Sequence, residues 1–116
     1  MPVQEADIEI YQGDDWAATV WVFNPDNTAA DLTGYTGAAQ IRTAPADQAP
    51  EVAAQFVVTV VPPNQVSVYL PHAQSVLASG FNYVWDLELT SAVGEITTIL
   101  TGEVTVDMEV TREATA

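Results

Sequence analysis

The chain has no cysteine and no lysine. Without cysteine, the fold cannot lean on disulfides, a thiolate metal site or a thiol nucleophile. Basic charge is nearly missing as well. Two arginines, Arg42 and Arg112, face 16 acidic residues, and the formal net charge is −14. A surface of that sign repels nucleic-acid phosphates and anionic lipid head groups, so neither is an expected partner. No apolar run approaches the roughly 18 residues that cross a bilayer. The stretch MPVQEADIEI has neither the basic start nor the apolar segment of a signal peptide, and a soluble, mature product is expected. Apart from Asp14 and Asp15 no two acids are adjacent, so the charge is not an appended acidic tail. It suits solubility at high local concentration, or a basic surface on a partner.

What the chain does contain is enough apolar sequence, 48% of 116 residues, to bury one core, and a single domain over 1–116 is expected. Its dominant period is two. In WAATVWVF, Trp16, Ala18, Val20 and Val22 alternate with Ala17, Thr19, Trp21 and Phe23, and both sets are mostly apolar. In NYVWDLEL, Tyr83, Trp85, Leu87 and Leu89 point one way while Asn82, Asp86 and Glu88 point the other. GEVTVDMEV repeats the scheme with Val104, Val106, Met108 and Val110 inward. That pattern predicts antiparallel sheet with one wet face. Further strands are expected at 7–11, 37–43, 53–61, 65–70 and 95–100, separated by turn residues at NPDNT, APADQAP, PPN, SAVG and Gly102. About seven to eight short strands read as an all-β sandwich or barrel. PHAQSVLASG, with Pro71 early and Gly80 past its end, predicts one short helix near 72–79.

The chemical candidates are few. Neighbouring residues on an extended chain face opposite ways, so Asp14 and Asp15 are expected at the mouth of a strand and not as a working carboxylate pair. Asp26, Asn27 and Asp31 carry oxygens that a hairpin could gather around calcium, but turn chemistry explains them without a metal. His72 lacks the partners for zinc, and no GxSxG elbow supplies a nucleophile for it. No catalysis, cofactor or metal is expected. The aromatics are more informative. Trp16 and Trp21 have opposite parity, so at most one lies in the core of a regular strand. The other needs cover from a loop, a ligand or a protein. Trp21 and Phe23 share a face and are the preferred partner-contact residues, with Trp16 the third candidate. A free carbohydrate-binding sandwich, stacking sugars on such rings, is the alternative use.

YQGDDW at 11–16, ADLTGYTGAAQIR at 30–42, VYLPHAQSVLASG at 68–80, YVWDLELTSAVGEITTILTGEVTV at 83–106 and EVTR at 109–112 occur in an order that resembles a family of small tailed-bacteriophage virion proteins, including minor tail proteins. The order is also similar to the immunoglobulin-like N-terminal domain of siphophage baseplate upper proteins. The resemblance implies a single immunoglobulin-like antiparallel β-sandwich. It also implies a non-enzymatic role as an assembly module of the tail or baseplate, with capsid-surface decoration as an alternative. The expected partners are other phage structural proteins, in multiple symmetric copies within the virion.

Overall fold

The structure, a computed structural model, describes residues 3–43, 52–75, 77 and 83–108. Nine strand segments form two sheets around one core, and the domain is an all-β sandwich. They are β1 (Gln4–Glu5), β2 (Ile8–Tyr11), β3 (Trp16–Trp21), β4 (Thr36–Arg42), β5 (Val52–Gln55), β6 (Val57–Val61), β7 (Gln65–Leu70), β8 (Tyr83–Thr90) and β9 (Ile96–Asp107). The larger sheet runs β1-β9-β8-β4-β5, with β2 also on β9. The smaller runs β3-β7-β6. β1 and β2 lie along the same side of β9 in one unbroken register, Gln4 opposite Leu100 and Ile8 opposite Val104. They are two halves of one strand position, which leaves eight positions in all.

This connectivity is immunoglobulin-like. The second, fifth and fourth strands of such a fold make one sheet, and its third, sixth and seventh make the other. Here the first strand has crossed to the far sheet and pairs parallel with the last. All other strand pairs are antiparallel, as expected, and this parallel pair is the one addition to that pattern among the described residues. The crossing also leaves β3, among the described residues, as a bare edge of the smaller sheet.

The core forms where the period-two faces meet. Val66, Val68 and Leu70 of β7 look across at Ile41 of β4, at Trp85, Leu87 and Leu89 of β8, and at Val104 and Val106 of β9. Phe56 stands between the sheets, its ring centroid 5.7 Å from those of both Trp16 and Trp85. It also marks a correction. The expected strand at 53–61 is two strands in different sheets, and the chain changes sheet at Phe56, whose N–H bonds the Ala39 carbonyl at 3.0 Å. AAQFVVTVV is apolar at almost every position, so its period carries no contrast to reveal the break.

The expected strands at 95–100 and 102–110 are one strand of 12 residues. Gly102, read as a turn, is instead a point of close approach. A Cβ there would collide with the Ala6 carbonyl. In a regular parallel ladder the Ala6 carbonyl would accept from the Glu103 N–H. Here it turns inward to accept from Trp85 Nε1 at 2.7 Å, and Asp7 Oδ1 takes the Glu103 N–H at 2.9 Å. The ladder is thereby interrupted between β1 and β2, yet none of these groups loses its partner. Trp85 sits in register with Gly102, and the missing side chain gives the indole room to reach across.

Two smaller corrections remain. Met108, expected inward, lies just past the end of β9 and is 59% exposed, with no partner strand among the described residues to hold its parity. Val110 lies outside the described residues. The helix expected near 72–79 is a three-residue 3-10 turn, His72–Gln74, closed by Ser75 at ψ 6°. Positions 76 and 78–80 lie outside the described residues.

Candidate functional site

Asp14 and Asp15 close a corner. The chain leaves β2 through a turn in which the Asp14 N–H bonds the Tyr11 carbonyl at 3.1 Å and Gly13 adopts φ 81°, a conformation strained for any side chain. Asp15 then faces the start of the 3-10 turn. Its Oδ1 accepts from the Tyr69 hydroxyl at 2.9 Å and the His72 N–H at 2.7 Å, with His72 Nδ1 at 3.1 Å. Asp14 offers its backbone carbonyl to Ser75 Oγ at 2.7 Å. The two carboxylates therefore do not converge. Asp15 ties β3 to β7 and to the turn that follows β7.

This corner brings Ser75, His72 and Asp15 together, the residue types of a hydrolytic triad, but their geometry is structural. Ser75 is fully buried, and its hydroxyl points at the carbonyls of Asp14 and His72. A nucleophile must be reached by its base through the imidazole and by a substrate from outside. Neither condition is met. Asp26 and Asp31 are also committed locally. Asp26 Oδ1 accepts from the N–H and hydroxyl of Thr28, and Asp31 Oδ1 from those of Thr33. Among the described residues no three His, Asp or Glu side chains gather as they would around a metal ion. No helix among them is long and apolar enough to cross a membrane.

These bonds set a pH dependence. Hydrogen bonds from the His72 backbone, and then from Tyr69, hold the Asp15 carboxyl below its ordinary value of 3.8. Bonds from Thr28 and Thr33 do the same for Asp26 and Asp31. A lowered folded-state pKa contributes stability that is present above 3.8 and lost as pH falls through the folded value. Glu9 runs the other way. Its hydrogen bond with Asp107 raises its pKa, so that group favours folding as pH falls. The melting temperature is expected to hold down to about pH 4 and then to drop, with a shallower drop in Asp15→Asn. Thermal melts by circular dichroism from pH 6 to pH 2 check this, and identical acid limbs for both proteins would dismiss the Asp15 contribution.

The surface with a different character is the outer face of the smaller sheet. Register sets its side chains in three rows: Trp21–Gln65–Val61, Thr19–Ser67–Thr59 and Ala17–Tyr69–Val57. None of the nine is charged. On the outer face of the larger sheet, by contrast, Arg42, Asp86, Glu88 and Glu103 lie on adjacent strands. Burial there raises the Asp86 carboxyl despite Arg42 nearby. Trp21 is 56% exposed and Phe23, just beyond β3, 52%. The structure thus leaves both preferred contact residues at the surface. Trp16, the third candidate, is half-buried and packs edge-on to Phe56. Parity alone separates the two tryptophans, as expected.

Sequence reasoning missed that Val57, Val61 and Tyr69 share a sheet face with Trp21. The alternation of QVSVYL could have placed Tyr69, but only the register places it beside β3. It also missed a groove of about 310 Å³ lined by Gln4, Val20, Trp21, Val22, Phe23, Ile99 and Leu100. This groove runs below the bare edge of β3, where the displaced first strand would have lain. No protein-family model matches the chain, and no curated protein does.

Proposed function

We propose that the chain is a non-enzymatic structural module of a bacteriophage particle, part of its tail or baseplate. It docks on neighbouring particle proteins through the outer face of the β3-β7-β6 sheet. The observation that carries the docking is the charge distribution: a chain of net charge −14 presents nine adjacent side chains without a charge, with Trp21 at one corner. Charged residues are depleted at the centres of protein interfaces, and exposed aromatics are enriched there. The motif order from YQGDDW to EVTR supports the phage assignment, and the immunoglobulin-like connectivity agrees with it.

Trp21→Ala is expected to leave the isolated domain folded, because an exposed substitution outside the core changes stability by about 0.5 kcal/mol or less. Loss of an aromatic anchor typically costs about 2 kcal/mol of binding, roughly a 30-fold loss of affinity. Incorporation of the variant should fall accordingly. Mass spectrometry of gradient-purified virions from the phage that encodes the chain checks both forms. Absence of the wild-type protein from the particles ends the reading. Separate assay of tails and heads decides between a tail and a capsid-surface position.

A second reading draws on the row Thr19–Ser67–Thr59, whose hydroxyls lie between Trp21 and Tyr69. A flat face with rings at its ends and hydroxyls between them suits a polysaccharide. Retention of the free domain on insoluble or cell-wall polysaccharide, lost in Trp21→Ala, would favour that use.

A further inference from the structure

We propose that a second copy of this chain pairs edge to edge with β3, about a two-fold axis through Thr19, so that two three-stranded sheets become one sheet of six. This goes beyond the particle assignment and does not depend on it. The Val22 N–H bonds the Asn64 carbonyl at 2.8 Å, in line with the β3–β7 register. By the two-residue alternation of an antiparallel ladder, the backbone groups of Trp16, Ala18, Val20 and Val22 face β7, and those of Ala17, Thr19 and Trp21 face the open edge. Among the described residues no strand pairs with that edge. A long exposed edge of this kind is a template for another strand.

The occupant follows from charge and register. From Trp16 to Phe23 the chain carries no charge, so two copies of a −14 protein can approach here without setting acid against acid. Antiparallel pairing centred on Thr19 places Trp21 opposite Ala17 of the second copy, a large side chain against a small one, and Thr19 opposite Thr19. Thr–Thr pairs are among the favourable cross-strand neighbours. The same register sets Asp14 against Asn24 and Asp15 against Phe23. A shift of the axis to Val20 would set Asp14 against Asp26, so the Thr19 axis is preferred. In this register the inward-facing Ala18 and Trp16 of the second copy lie opposite Val20 and Val22, at the mouth of the groove above Ile99 and Leu100. An isologous contact of this kind closes on itself and gives a dimer, not a fibre.

Sedimentation velocity of the full chain over a range of concentrations tests the pairing. The expected result is a species of twice the chain mass, shifted to monomer in Thr19→Pro. That substitution removes an N–H directed at the open edge and leaves the β3–β7 bonds intact. Since the chain has no cysteine, Thr19→Cys provides a second measurement. Directly opposed residues of a hydrogen-bonded pair lie about 5.5 Å apart, within disulfide range, and mild oxidation should cross-link this variant to near completion. Ala17→Cys should not cross-link, because its mate lies four residues along, roughly 13 Å away. Three results overturn the proposal: a wild-type chain that stays monomeric throughout, a folded Thr19→Pro that remains dimeric, or equal cross-linking of the two cysteine variants. A monomeric chain found in virions would assign the edge to a different protein and leave the particle reading standing.

Discussion

Replacing Trp85 with alanine is expected to lower the free energy of unfolding by about 4 kcal/mol, within the range for deleting a large buried aromatic. The indole is 4% exposed, packs against Phe56 and lies in register between Ile41 and Gly102. Its removal leaves a cavity between the sheets and strips the Ala6 carbonyl of its donor. Trp85→Phe weights the second contribution, since it keeps one aromatic ring in the core and loses the five-membered ring that carries the N–H. It should cost about 1–3 kcal/mol, the penalty for leaving a buried acceptor unpaired. Urea unfolding of both variants, compared at equal slope, checks the order. An unchanged midpoint in Trp85→Ala would place that side chain outside the core.

Gly102→Ala is the second large effect. The added methyl group meets the Ala6 carbonyl, which belongs to the backbone and cannot rotate away as a side chain could. Either β1 and the Ala6–Asp7 step leave the edge of β9, or β9 bends and disturbs its pairing with β8. The first course also forfeits the bonds from Trp85 Nε1 to Ala6 and from Glu103 to Asp7. Overpacking costs about 1–3 kcal/mol, and loss of the buried bond a similar amount. A total of roughly 3 kcal/mol or more is expected, about 12 °C in melting temperature at about 4 °C per kcal/mol. Amide exchange locates the damage: Ala6 and Glu103 should lose protection while the β3–β7 ladder keeps it. Protection retained at both amides would mean that the methyl group is absorbed elsewhere.

These two positions illustrate how much of the fold was legible. Trp85 was readable because Leu87 and Leu89 share its parity and Asp86 and Glu88 oppose it, so one face had to be buried. Gly102 was not. A glycine between two apolar runs looks the same whether it turns the chain or admits another backbone, and only the passage of Ala6 across it distinguishes the cases. The break at Phe56 was hidden for a related reason: strands apolar on both faces offer no alternation to interrupt. His72–Gln74 looked like a longer helix because Pro71 and Gly80 bracket it. Yet the bonds that shape the turn come from Asp14 and Asp15, far away in the chain.

For the candidate site the division is similar. Parity separated Trp16 from Trp21, because side chains of a strand alternate whatever surrounds them, and composition put the acids at the surface. Those conclusions belong to the sequence, since they depend on periodicity and solvation, which act locally. Which strands stand side by side is a long-range matter, decided by how apolar faces and backbone bonds are satisfied together. Hence only the tertiary structure set Val61 and Tyr69 on the same uncharged face as Trp21. It alone moved the first strand onto β9, and so left the edge of β3, with its directed N–H and carbonyl groups, unpaired among the described residues and open above a groove.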